Sequence, residues 1–518
     1  VSAFTPDGTM PLGSTAYEKR GIADFIPRWD PDKCVTCTLC SLVCAHAAIR
    51  PVVMTAAEAA AAPADFVSRP LKWPQATEGM RFRIQVYPLD CTGCGSCATI
   101  CPGKALTMVP AADDRETQSR LLDYAQQHVT LKEGMVSPFT INGSQLMQPL
   151  LQFSGACGGC GETPYVKLLT QLFGPRMVIA NATGCSSIWG ADYPSVAYCA
   201  NRDGRGPAWG NSLFEDNAEY GYGMAVAIGQ RRTAARAIAE KLAATATGAL
   251  GDALHGWLDG YADAAHTIAL SDTLVSELRK EAATTPDAAR LLEYADDLAL
   301  KSVWIIGGDG WAYDIGFAGL DHVLASGENV NMLVMDTECY SNTGGQSSKA
   351  TPLGAVTKYT PDGKRTYKKD LGRMMMTYGN VYVASVALGA NYMQTINALR
   401  EAEAYGGPSI VIAYCPCINH GIRTGMSHAV VEQRDTVRAG YWPLYRYNPA
   451  NATPLTVDSA APDGKLDAFL DNENRYADLR MIDPAAAATL RPALARHLDV
   501  LYRALTANAA PSAPEHMA

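Results

Sequence analysis

The chain has 518 residues, 48% of them hydrophobic and only 18% charged, with a formal net charge of −9. That length holds about two to four domains with ample core, and the acidic balance argues against nucleic acid as the main partner. No run is long enough to span a membrane, no signal peptide is legible, and the fifteen cysteines are bunched, which points to metal in a reducing compartment rather than to disulfides.

Residues 1–30, rich in Gly, Pro and turn formers, read as an N-terminal arm. A cysteine-rich module follows over 31–110. Cys34, Cys37, Cys40 and Cys44 make one C-x₂-C-x₂-C-x₃-C run, and Cys91, Cys94, Cys97 and Cys101 repeat it. Three cysteines on one tight loop hold three corners of an iron–sulfur cube; the fourth lies too far along and ligates the other cluster. The spacing therefore predicts one [4Fe–4S] cluster on Cys34, Cys37, Cys40 and Cys101, and a second on Cys91, Cys94, Cys97 and Cys44. A zinc ribbon would use four cysteines, not eight in this cadence. Pro102 follows the second run, whereas Ala45 stands at the same place after the first. Between the runs an insertion, 51–90, carries an Ala-rich helix over 56–62 and a strand over 82–87.

A connector, 111–144, includes a charged helix over 113–127. The large domain spans 145–430, with an Ala-rich helical excursion over 223–300, and a tail over 431–518 ends in an amphipathic helix near 485–505. Inside the large domain, residues 301–346 read as strand (303–306), Gly-Gly-Asp-Gly turn, helix (315–325) and parallel strand (330–335). Ligands of such βαβ units sit beyond the carboxyl ends of the strands. Glycines let backbone N–H groups approach a diphosphate, and a helix N-terminus favours its charge. Asp309 is the hard anionic ligand of that turn. Thr337 closes the next strand, and both could grip one Mg²⁺.

More cysteines surround this unit. SGACGGCGE holds Cys157 and Cys160, NATGCSSIWG holds Cys185, and CPCINHG holds Cys415 and Cys417. Four thiolates from separate loops would bury a third cluster beside the diphosphate site. His46 and His420 read as local hydrogen-bonding residues, the Met374, Met375, Met376 run as core, and Lys349 and Arg365 as solvated charge.

Gly308-Asp309-Gly310, a spacer, and a loop with Thr337 and Asn342 resemble the thiamine-diphosphate motif. SNTGGQ, EKRGIA, ETPYVKLLTQLFG and GPAWGNSLFEDNAE extend the resemblance, over nearly the whole chain, to the pyruvate:ferredoxin oxidoreductase family. It implies an α/β thiamine-diphosphate-binding domain, a mostly parallel sheet flanked by helices, plus a small α+β bacterial-ferredoxin-like domain with two clusters. It also implies Mg²⁺ on Asp309, Thr337 and the main-chain carbonyl of Cys339. Gly308, Gly310, Trp311, Thr337, Glu338, Cys339, Tyr340, Ser341 and Asn342 would surround the diphosphate. Glu162 and Cys185 would line the site, with Glu162 and Asn342 as catalytic residues. The third cluster would take Cys157, Cys160, Cys185 and Cys417, preferred to Cys415 for its Pro-Cys-Ile setting. Cys199, Cys339 and Cys415 then read as small buried residues.

The family's activity is oxidative decarboxylation of pyruvate. Coenzyme A takes the acyl group, and three clusters pass electrons to ferredoxin or flavodoxin. Rival readings are an electron-transfer subunit with an inert scaffold and a sister 2-oxoacid oxidoreductase. The aminopyrimidine end of the cofactor needs a glutamate from a second α/β domain, and only one such domain is legible. The expectation is a C-terminal portion of a longer chain, or a subunit needing a partner, within a homodimeric enzyme of the cytoplasm or a reducing organelle. Alone, it should carry clusters without turning over.

Overall fold

The computed structural model describes residues 9–191, 195–507 and 509. Its centre is an eight-stranded sheet in the order β13-β12-β10-β11-β9-β8-β6-β7. The strands are β6 (Met177–Ala182), β7 (Ala208–Ser212), β8 (Ser302–Gly308), β9 (Asn331–Asp336), β10 (Tyr382–Val386), β11 (Ser409–Tyr414), β12 (Tyr445–Tyr447) and β13 (Leu455–Val457). From β7 to β10 all pairings are parallel; β12 and β13 join antiparallel. Strands buried on both faces read as continuous apolar runs, as in SIVIAY of β11, whose residues are all buried. Successive side chains alternate between faces. Ile305 enters one core, with Leu320, Val323 and Leu324 of the helix Phe317–Ala325. Trp304 and Ile306 enter the other, with Leu168 and Leu169 of the helix Thr163–Phe173 and Leu399 of the helix Tyr392–Ala404.

The strand order fixes where a ligand can bind. From β6 the chain passes outward to β7, and from β8 it passes the other way to β9, so the crevice between β6 and β8 is the switch point of the sheet. Cys185 lies just beyond β6, Asp309 just beyond β8, Thr337 just beyond β9, and Cys415 and Cys417 just beyond β11. Four adjacent parallel strands thus deliver these residues to one edge.

The cysteine-rich module holds β1 (Phe25–Trp29) paired antiparallel with β5 (Leu106–Pro110), and a three-stranded sheet of β2 (Ile49–Met54), β4 (Arg81–Val86) and β3 (Arg69–Pro70). The end of the expected arm is therefore a strand of the module. The helical excursion begins earlier than its composition suggested. Helices Asn217–Ala243, Gly248–Asp259, Thr267–Glu281 and Pro286–Leu292 close on their own core around Leu254, Trp257, Leu274, Leu278 and Leu291. The tail is not separate either: β12 and β13 extend the sheet, and the helix Pro484–Thr506 buries Leu490 and Leu494 against the same core as Ile305. In the Met374–Met376 run, Met375 is buried in that core and Met374 is exposed. Among the described residues no helix is long and apolar enough to cross a membrane.

Candidate active site and electron path

β8 runs to Gly308 and hands over at Asp309 to a single π-helical turn, Gly310–Ile315, before the helix Phe317–Ala325. Such widened turns are rare and often mark functional sites. Asp309 is 1% exposed. Thr337 Oγ1 lies 3.0 Å from Asp309 Oδ1 and 3.1 Å from the carbonyl oxygen of Cys339, while Ser348 Oγ donates to Asp309 Oδ2 at 2.6 Å. Burial, then the nearby Asp336 carboxylate, pushes the Asp309 carboxyl well above its usual range. A carboxyl, a hydroxyl and a carbonyl thus converge, with the Thr337 hydroxyl between the other two oxygens. That donor set fits a hard divalent cation.

The glycines have local reasons. A Cβ on Gly310 would stand 2.4 Å from the Tyr340 ring, so that ring lies against bare backbone. Gly344 and Gly345 have φ of 115° and 88°, open only to glycine at low cost, and they turn the SNTGGQ loop. The Trp311 side chain is core, 2% exposed, below the turn. Asn342 is exposed at the loop, where its side chain hydrogen-bonds Cys185. Ser341 Oγ lies 3.3 Å from Cys185 Sγ.

Cys157, Cys160, Cys185 and Cys417 share two neighbours or are one of them: the Cys417 thiol and the Glu162 carboxyl influence Cys157, Cys160 and Cys185 alike. The Cys157 loop is stitched to the Cys417 loop by Gly161 N–H donating to the Pro416 carbonyl at 3.2 Å. Cys417 is hydrogen-bonded by Cys339, which, with His420 and Asn419, brings its thiol down to about 6. The shared proton stays on Cys339, whose own thiol is pushed up. Cys415 is fully buried and donates to the Ala413 carbonyl, a packing role. Glu162 is 4% exposed and accepts from Trp189 Nε1 at 2.8 Å. Burial raises its carboxyl to about 7.

In the other module, the thiols that press on buried Cys40 are those of Cys37, Cys34 and Cys101. Those that press on Cys97 are chiefly Cys94 and Cys44, then Cys40 and Cys91. Cys44, Cys91, Cys94 and Cys97 line one cavity together. The fourth cysteine of each run therefore sits with the other run's triplet. The two runs also share a backbone: Thr36 and Gly93, Thr38 and Gly95, Ala47 and Lys104 pair off, all with positive φ. Non-glycine residues pay about 1 kcal/mol or more for that conformation, an indication that something at the centre holds the loops. Backbone N–H groups of Thr36, Gly93, Ala48 and Ala105 point at the sulfurs of Cys34, Cys91, Cys44 and Cys101 at 3.2–3.4 Å. No three His, Cys, Asp or Glu side chains among the described residues gather on one point as a single ion demands. Thiols spread around a cavity suit a cluster better than zinc, which draws four sulfurs to about 2.3 Å.

Sequence comparisons agree with this geometry. The 4Fe-4S dicluster domain matches residues 30–105, the C-terminal TPP binding domain of thiamine pyrophosphate enzymes matches residues 288–413, and a domain of unknown function, EKR, matches residues 1–23. The pyruvate:ferredoxin oxidoreductase of Moorella thermoacetica is 54% identical over 502 residues, covering 95% of this chain and 42% of the relative. The pyruvate-flavodoxin oxidoreductase of Klebsiella pneumoniae is 50% identical over 500 residues, with the same shares. Over 95% of its length the chain is thus similar to part of pyruvate:ferredoxin (flavodoxin) oxidoreductases. A mitochondrial NADP(+)-linked pyruvate dehydrogenase of Euglena gracilis is also 49% identical over 511 residues, 97% of this chain and 28% of the relative. The chain spans less than half the length of these relatives. Thiamine diphosphate and iron–sulfur clusters are the cofactors its two matched domains carry.

The site also holds partners that no motif announced. Glu338, expected at the diphosphate, has φ 57° and turns its carboxylate into a buried network. Lys368 Nζ lies 2.9 Å from Glu338 and 2.7 Å from Asp336, Arg475 lies 2.8 Å from Glu338 and 2.7 Å from Glu473, and Tyr441 donates to Glu338 at 2.7 Å. Burial opposes ionisation, yet Lys368 and Arg475 hold Glu338 down to about 2. Removing one partner of such a network costs about 3–5 kcal/mol. His420 Nε2 lies 2.8 Å from the Thr337 carbonyl oxygen, so it buttresses the Asp309 site from behind. His46, pulled down to about 4 by burial, is neutral; it donates Nε2–H to the Ala156 carbonyl at 2.9 Å and faces Thr92 at 3.4 Å. It thereby ties both cysteine runs to the Cys157 loop. Ser348 and Asn419, which donates to Cys417 Sγ at 3.6 Å, were not foreseen. Arg365 pairs loosely with Asp483 and Lys349 with Asp314, both with exposed side chains.

Proposed function

We propose that this chain is the cofactor-binding and electron-relaying part of an enzyme that converts pyruvate and coenzyme A to acetyl-CoA and CO₂, with ferredoxin or flavodoxin taking the electrons. The observation that carries this reading is the meeting of Asp309, Thr337 and the Cys339 carbonyl at the switch point of the sheet, beside four thiols and a buried acid. Asp309, Thr337 and Cys339 would hold Mg²⁺, with Ser348 orienting Asp309. Gly308 and Gly310 would let backbone approach the diphosphate, and Thr337 and residues 339–342 would enclose it, Glu338 lending only its backbone. Bound thiamine diphosphate supplies a nucleophilic carbon and an electron sink for a 2-oxoacid losing CO₂.

The chain's own residues do the rest. Glu162, held by Trp189 and with a pKa near neutrality, suits a group that holds and releases a proton at its carboxyl. Asn342 stands exposed at the loop to orient substrate. Three [4Fe–4S] clusters are proposed: one on Cys157, Cys160, Cys185 and Cys417, one on Cys44, Cys91, Cys94 and Cys97, and one on Cys34, Cys37, Cys40 and Cys101. In that order they would relay electrons away from the Asp309 site. An inert electron-transfer scaffold would not need the buried oxygen triad. The pyrimidine-side glutamate, substrate residues and coenzyme A site are assigned to the remainder of the enzyme, in a homodimer of a reducing compartment.

The test has two parts. The anaerobically reconstituted chain should bind thiamine diphosphate only with Mg²⁺ and hold iron and sulfide for three clusters. Joined to the remainder of the enzyme, pyruvate and coenzyme A should reduce those clusters; the chain alone should not turn over. Absence of Mg²⁺-dependent binding, or turnover by the isolated chain, would contradict the proposal.

A further inference from the structure

Lys167 stands on the helix Thr163–Phe173 of the large domain but reaches into the cysteine module. It is 2% exposed. Its Nζ donates to the carbonyl oxygens of Leu42 at 2.9 Å and Cys44 at 3.1 Å, and to that of Ser41. Three acceptors engage three N–H protons, which an ammonium has and a neutral amine lacks. No carboxylate among the described residues pairs with it; the ionisable groups facing it are the thiols of Cys44 and Cys40, neutral His46 and, repelling it, Arg50. A cation wholly out of water with only neutral partners is costly. The structure must offset that cost with negative charge, and the nearest source is the site of which Cys44 is part.

We propose that Lys167 is the resident counter-ion of the cluster on Cys44, Cys91, Cys94 and Cys97, raising its reduction potential so that it accepts electrons from the large domain. The inference rests on the cluster assignment above. Four thiolates around a cube leave the site anionic, each added electron makes it more so, and net charge sets cluster potential. A fixed cation in a low-dielectric interior therefore favours the reduced state. The position is apt, because this cluster is the one whose Cys94 meets the Cys157 loop. The same carbonyls cap the short helix Leu39–Leu42, so the cluster potential, and not stability, reports the counter-ion role.

The experiment is an EPR-monitored redox titration of the cluster-loaded, full-length enzyme and its Lys167→Met, Lys167→Gln and Lys167→Arg variants. The neutral variants should shift the reduction equilibrium of the Cys44 cluster at least tenfold toward the oxidised form, about 59 mV downward for one electron. The Cys101 cluster should shift less, and Lys167→Arg should stay near wild type. Should neutral variants fail to load that cluster while Lys167→Arg loads it, charge is again what is required. Failure of all three to load, or neutral variants at the wild-type potential, overturns the assignment. A wild-type enzyme with no clusters on these cysteines would instead overturn the functional reading beneath it.

Discussion

A Cβ added to Gly158 would stand 3.4 Å from the Cβ of Cys94. The Cys157 loop and the second cysteine run thus meet at Gly158, which faces the Cys94 and Thr92 side chains. Alanine fits that gap as an ordinary contact; leucine does not. Gly158→Leu should leave iron content intact but slow cluster-to-cluster transfer out of the large domain, read by freeze-quench EPR after pyruvate is added to the whole enzyme. An unchanged rate would mean that electrons leave by another route.

The neighbouring Gly161 constrains a different junction. A Cβ there would lie 2.6 Å from both N and O of Pro416, and backbone cannot swing aside as a flexible side chain can. Gly161→Ala must push the Cys160 loop off the Cys417 loop, at about 1–3 kcal/mol. The expected result is loss of about a third of the iron, one cluster of three, with the two module clusters retained. Full iron content in this variant would argue that Cys417 does not share a cluster with Cys160.

Ser348 should act through Asp309. Its hydroxyl donates to Asp309 Oδ2 at 2.6 Å, and groups that orient metal ligands are worth about 10–100-fold in metal affinity. Ser348→Ala should weaken Mg²⁺-dependent thiamine diphosphate binding by that factor, and Asp309→Asn by more, in calorimetric titrations. Burial holds the Asp309 carboxyl well above its usual range, so Mg²⁺, which needs the ionised form, competes with a proton there. Binding should therefore weaken as pH falls, and a pH-independent affinity would count against Asp309 as a ligand.

What the sequence made legible was local. The cysteine runs fix their geometry within a dozen residues, and Asp309 and Thr337 follow apolar strands that announce themselves. What stayed hidden depends on distant pairing. β12 and β13 are three residues each, too short for a period to register. β1 carries Pro27 and lies in a two-stranded pair, where proline is tolerated only at an edge, so it looked like loop. Lys368 meets Glu338 across 30 positions and Ser348 meets Asp309 across 39, contacts that no spacing rule anticipates. Glu338 shows the cost: its position beside Thr337 suggested the diphosphate, but a left-handed backbone sends its side chain the other way.

Glu432 offers a test of the buried charges that needs no cofactor. It lies in the helix Ala429–Arg438, 2% exposed; Oε2 accepts from Asn472 at 2.7 Å, and Oε1 has no hydrogen-bond partner among the described residues. Burial, then repulsion from ionised Glu473, raises its carboxyl to about 8. An unfolded glutamate titrates near 4.3. Between those values the folded chain keeps a proton that the unfolded chain has lost, so the folded state is progressively disfavoured as pH rises from about 4.3 to 8. Glu432→Gln carries no titrating group and keeps the bond from Asn472. Its melting temperature should match wild type near pH 4 and exceed it increasingly up to pH 8, with a ceiling on the order of 5 kcal/mol. The difference should stay flat above pH 8, once Glu432 is ionised in both states. A wild-type-to-variant gap that is constant from pH 4 to 9 would mean that burial does not raise Glu432 above its unfolded value and that Asn472 suffices to hold its charge.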